Sequence, residues 1–292
     1  VKPSEAADRI EAAISKANAE LNKVIERTQF NAYNSILAEL KGLELDSDGY
    51  ILQNNFNRKI IRGVGKQFDR SLNTSGYTSG LNNFIKSIST VDAINEAYFA
   101  SIDESFTANA LFVKDLQRQT VLSIESLLLN EGLESQIKQP LINILNQNIN
   151  TGGSYAGMVQ QVKDYVVGNT DHEGKLLRYS KQITQDAINN YSRAYQNSVG
   201  TSLGLVFYQY VGGIIKDSRE FCRDRVNGYF HYLEVESWAK LEWQGKNALT
   251  TKSSIFVLAG GWSCGHQLMP VSTFSVPADW LNRAEDLGFY KP

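Results

Sequence analysis

Apolar side chains recur at Ile10, Ile14, Leu21, Val24, Ile25, Phe30, Tyr33, Ile36, Leu37 and Leu40, at spacings of mostly three, four and seven. That rhythm places one stripe along one face of a helix. Neither Gly nor Pro interrupts residues 4–41; Pro3-Ser4 suits a helix entry and Gly42 an exit. A helix this long exceeds the ordinary globular range. It is therefore expected either to pack along its own body or to dock on a partner, including a second copy of the chain.

Residues 44–51 break the pattern. Their alternating acids resemble a calcium loop, but the first position is Glu44 and the twelfth is Asn55 rather than the bidentate Glu such loops need, so a polar turn is expected. Helical periodicity returns at 54–72, 81–87, 91–101 and 108–129, with a turn-rich loop at 73–80. Pro140 lies inside an apolar pattern and predicts a helix start or kink. Ser154 suits an N-cap for a helix over 155–167, and 176–199 is amphipathic again. After Gly200 the character changes: Leu205-Val206-Phe207-Tyr208-Gln209-Tyr210-Val211 is β-branched and aromatic, a buried strand. The expected fold is α+β, mostly α: long N-terminal helices and a helical body followed by a small C-terminal α+β module. Its expected divisions are a helical arm and body over 1–130, a second helical part over 131–200, and the α+β module over 201–292.

Composition narrows the function classes. With 29 Lys and Arg against 31 Asp and Glu the net charge is −2, so the basic excess of an avid phosphate binder is absent. No run approaches the roughly 18 apolar residues of a spanning helix, and the opening Val1-Lys2-Pro3-Ser4-Glu5 lacks the apolar core of a signal peptide. Two cysteines, Cys222 and Cys264, are too few for a disulfide framework and fit folding in a reducing compartment. The chain carries no P-loop, Gly-x-Gly-x-x-Gly, His-Glu-x-x-His or Gly-x-Ser-x-Gly motif. Three histidines in all, His172, His231 and His266, leave little room for histidine-based catalysis.

The informative stretch runs from about residue 179 to 271. In order it holds a helix with Thr184-Gln185-Asp186, the strand, Asp217-Ser218-Arg219, Cys222, Asn227-Gly228, Trp238, then Gly260-Gly261-Trp262-Ser263-Cys264-Gly265-His266 and Met269-Pro270-Val271. This order resembles the Mu F-like family of phage minor head proteins, also called head morphogenesis proteins. Asp217 and Arg219 match its Asp-x-Arg, Asn227 and Gly228 its turn, Cys264 and His266 its closing pair, and Pro270 its apolar-Pro-apolar strand. Ser263 stands where the family has Asn, Gly265 where it has Arg, and the helix carries Thr184-Gln185-Asp186 where a Thr-Glu pair is usual. Residues 133–167 resemble the family's helical pair joined by a Gly-Ser turn. The resemblance implies a structural, non-enzymatic virion protein in the capsid interior, made in the host cytoplasm. Its implied partners are the portal protein, the inner face of the major capsid protein and, in packaging or ejection, genomic DNA, with no membrane. A DNA-binding packaging or ejection factor, and a metal-dependent nuclease or protease, are the alternatives.

Cys222, His231, Cys264 and His266 together offer two thiolates and two imidazoles, a set suited to a structural tetrahedral zinc. Gly265 would let the Cys264-Gly265-His266 turn take positive φ. Buried thiols with hydrogen-bonded histidines, and a Cys222–Cys264 disulfide, are the other readings. Asp217 or Ser218 is expected to cap a short helix near Arg219, with Asp217 and Arg219 pairing to the closing segment. Neither has a nucleophile–base partner in the sequence, which favours a structural role. Asn227-Gly228 reads as a hairpin turn.

Overall fold

The computed structural model describes residues 1–291, and the chain is α+β with helix dominant. It opens with four long helices: α1 (Pro3–Leu40), α2 (Asn55–Thr74), α3 (Tyr77–Ala100) and α4 (Ala110–Leu128). The short α5 (Glu131–Leu133) leads through one wide π-turn at Glu134–Lys138 into α6 (Gln139–Thr151), followed by α7 (Tyr155–Val166) and α8 (Lys175–Ser202). The remainder alternates β1 (Phe207–Val211), α9 (Glu220–Arg223), β2 (Tyr229–His231), α10 (Tyr232–Ser237), α11 (Ile255–Leu258), β3 (Gln267–Val271) and α12 (Ala278–Asp286).

The described chain divides into two compact units. One comprises Val1–Lys16, Lys86–Val121 and everything from Gln185 on; the other comprises Ala17–Ile85 and Leu122–Thr184. These are discontinuous in sequence, unlike the consecutive segments 1–130, 131–200 and 201–292, because α1, α3, α4 and α8 each give residues to both. The α1 stripe is covered by this chain: Ile10, Ile14, Leu21, Ile25, Ile36 and Leu40 are all buried, and of the ten stripe positions Phe30 is exposed. The stripe serves internal packing.

In the second unit, Asn57 is fully buried and stitches the break after α1. Its Oδ1 accepts from Glu44 N, and its Nδ2 donates to the carbonyls of Glu44 and Leu52. The acidic stretch is the expected turn, with Asp46 Oδ1 accepting from Asp48 N and Tyr50 N. Pro140 is the second residue of α6, directly after the π-turn, whose wider winding has Gln139 donating its N–H to Glu134 O, and Ser154 caps α7 by accepting from Gly157 N. The loop expected at 73–80 shrinks to a break at Ser75-Gly76, and the helices expected at 81–87 and 91–101 are one helix.

In the first unit the antiparallel sheet has the order β2-β1-β3. Pro270 lies on β3, an edge strand that leaves its missing N–H harmless, and its carbonyl accepts from Tyr98 Oη at 2.5 Å. Every residue of β1 is buried. Alternation sends Tyr208 and Tyr210 to one face, among Phe221, Phe230, Trp238, Ile255 and Leu268, and Phe207 to the other, among Val271, Val276 and Ala284. Gly200, inside α8, sits so close to β3 that a Cβ there would fall 2.5 Å from Pro270.

Candidate metal centre

The first unit collects three of the four expected ligands. Cys222, at the end of α9, places its Sγ 3.9 Å from that of Cys264, and Cys264 Sγ lies 3.5 Å from His266 Nδ1. All three residues are buried, and their donor atoms lie within 4.8 Å of one another. Zinc–sulfur bonds of about 2.3 Å and zinc–nitrogen bonds of about 2.0–2.1 Å, at tetrahedral angles, put two sulfurs about 3.8 Å apart and sulfur about 3.5 Å from nitrogen. The sulfur–sulfur edge of 3.9 Å and the sulfur–nitrogen edge of 3.5 Å fit that figure. The other imidazole nitrogen, Nε2, is buried with no hydrogen-bond partner.

His231 does not join them. It pairs across the ladder with Phe207, so its ring lies on the Phe207 face, opposite Tyr210 and the cysteines. There its centroid is 5.3 Å from that of Phe207, and its Nδ1 accepts from Leu233 N at 3.4 Å, capping α10. Burial holds its pKa below the usual histidine value.

Tyr210 completes the cluster's surroundings. Its fully buried Oη donates to Cys222 Sγ at 3.3 Å and lies 3.8 Å from Cys264 Sγ, while its ring stacks on His266 at 5.2 Å and 16°. The two thiols share a proton unequally. The hydrogen bond to Cys264 and then burial push the Cys222 thiol up, while the same bond, with His266 and the Arg193 cation, favours thiolate at Cys264.

Two arginines fix the closing segment. Arg219 donates from Nη1 to Gly260 O at 2.9 Å and from Nη2 to Trp262 O at 2.6 Å. Arg193, 2% exposed, donates from Nε to His266 O at 2.8 Å, from Nη1 to Val257 O at 3.0 Å, and from Nη2 to Cys264 O. One face of α8 therefore grips the loop, since Asp186 Oδ1 accepts from Ser263 N at 2.7 Å and Asn189 Oδ1 from Gln267 Nε2 at 2.9 Å. Desolvation raises the Asp186 pKa above the usual carboxylate value.

The turn is built from left-handed backbone at Gly260, Gly261 and Ser263, with φ of 76°, 82° and 56°. Gly265, expected to supply that conformation, does not. A Cβ on Gly260 would lie 2.2 Å from Cys264 Sγ, and one on Gly261 would lie 1.9 Å from Gly245 O, so the pair lets the backbone pass where no side chain fits.

Ser218 Oγ accepts from Ile215 N instead of capping α9, whose N-cap position is Arg219 with no side-chain cap bond. Asp217 is exposed, and Arg219 alone of the two bonds to the closing segment. Asn227-Gly228 is no two-residue hairpin, since residues 212–228 separate β1 from β2 and α9 lies between. Asn227 alone has positive φ (66°), and it extends the ladder by donating its N–H to Tyr210 O. At Gly228 a Cβ would strike the Phe230 ring at 2.6 Å.

A cleft of about 450 Å³ opens beside the cluster, with Asp217, Ser218, Arg219, Cys222, Cys264 and His266 on its wall. Tyr210 and Arg193 were not expected as site residues. Tyr210 is one aromatic in a buried strand, whereas Asp186, Asn189 and Arg193 at spacings of three and four mark a polar stripe on α8 that could have been read. No helix among the described residues is long and apolar enough to cross a membrane. No family model, curated protein or solved structure matches this chain.

Proposed function

We propose that this chain is a structural minor head protein of a tailed phage, acting inside the capsid near the portal in head assembly and in DNA packaging or ejection. One observation carries the reading. The motif pieces that resemble the Mu F-like family are separated by some forty residues, yet they meet: Arg219 of the Asp-x-Arg holds the carbonyls of Gly260 and Trp262 that lead into Cys264-Gly265-His266. The strand with Pro270 follows directly and pairs with β1. Asp217 stays outside this tie and Asn227 joins the ladder instead, but Arg219 and the closing pair meet as a shared module requires, and the tie is made to backbone, a role in architecture.

In the same reading, Cys222, Cys264 and His266 hold one structural zinc that locks α9 to the closing turn. The donor set and its spacing favour that ion. Metal binding needs deprotonated sulfur, and a coordinated thiol gives up its proton to the bound ion.

The test is localisation. Particles made with the tagged chain are imaged by cryo-electron microscopy without imposed symmetry, and the chain is quantified against portal subunits by mass spectrometry. The proposal expects low-copy density at the portal vertex, on the inner side of the shell. Absence of the chain from purified particles and from assembly intermediates contradicts it.

A further inference from the structure

Three protein donors are one short of a tetrahedron. The fourth vertex of the proposed zinc lies either toward Tyr210 or toward the cleft. Among the described residues, no further His, Cys, Asp or Glu stands in the cluster.

Tyr210 is close enough to be considered, at 3.3 and 3.8 Å from the two sulfurs. Its ring, however, stacks nearly parallel on the imidazole of His266. A metal bound to an imidazole nitrogen lies in the plane of that ring, where the lone pair points. The Tyr210 hydroxyl belongs to the neighbouring plane, and its hydrogen bond to Cys222 Sγ is of the kind that outer groups use to orient a ligand. The other direction is open. All three ligand residues line the 450 Å³ cleft, and Tyr210 does not. Closed four-ligand sites are structural, whereas three protein ligands with access to a cavity leave a position for water or an incoming donor.

We propose that the metal keeps its fourth position toward the cleft, occupied by a water that exchanges for one small donor such as azide or a thiolate. This rests on the zinc reading and extends it: the ion locks the turn and also presents an exchangeable site. Charge permits an incoming anion, because two thiolates neutralise a divalent ion while Arg193 lies beneath Cys264 and Arg219 stands on the cleft wall.

The experiment uses the full chain loaded with cobalt(II) in place of zinc, read by its visible ligand-field bands with and without azide. One cobalt per chain is expected, with a band shift that saturates at one azide per metal and persists in Tyr210→Phe. Cobalt bound with azide silent in both proteins overturns the open position. A shift that appears only in Tyr210→Phe overturns it too, and makes Tyr210 the fourth ligand. Failure of the folded chain to bind cobalt or zinc removes the metal centre and this inference together, so the two readings fail by different results.

Discussion

Ser263 holds a left-handed backbone at φ 56° beside the cluster, a conformation that costs a non-glycine residue about 1–2 kcal/mol. Ser263→Gly is therefore expected to raise stability by about 1 kcal/mol, measured by denaturant titration; a loss of stability would mean that the side chain, not the backbone, matters there. Asn, which the family resemblance expects at this position, visits that region more readily than Ser. His231 gives a second expectation. Its neutral Nδ1 caps α10, and burial depresses its pKa. The unfolded chain, near the ordinary value of about 6.5, takes up the proton first on acidification. Stability is thus complete above about pH 6.5 and declines as pH falls through the folded value. His231→Asn keeps a capping acceptor without titrating, so Tm measured across that range should fall less steeply in the variant; identical slopes would contradict the assignment. All four candidate ligands were legible as residue types, and three of them come together. The fourth failed because the strand register that turns His231 away from the cysteines is a tertiary fact.

At the scale of elements, α8 decides the site. Arg193 sends donors to three backbone carbonyls of the closing segment. Arg193→Met fills much of the volume but orphans all three, at about 1–3 kcal/mol per buried group, so a loss of about 3 kcal/mol or more is expected. A change near zero in chemical denaturation would mean that the loop finds other donors. The long helices were legible because an apolar face repeating every three or four residues is a local signal, and α1, α2, α7 and α8 lie within a few residues of expectation. Gly200 misled the reading of α8's end. A glycine usually marks a helix stop, but here it admits the Pro270 ring and the helix continues to Ser202. The Asn227-Gly228 hairpin misled for a related reason: a single left-handed residue before β2 leaves the same dipeptide signature as a tight turn.

For the whole molecule, mostly helical architecture with a small C-terminal sheet followed from pattern alone, while the two discontinuous units did not. Long helices that serve both units carry no composition change where one unit gives way to the other. The polar ties that close the C-terminal module hold the segment that carries Cys264 and His266, and the account stands on those two and Cys222 acting as one centre. X-ray absorption at the zinc edge, on protein purified without chelators, tests this most directly. The account predicts one zinc per chain with two sulfurs at about 2.3 Å and light atoms at about 2.0–2.1 Å, lost in Cys264→Ser. A folded, metal-free protein whose Tm is unmoved by added zinc would contradict it.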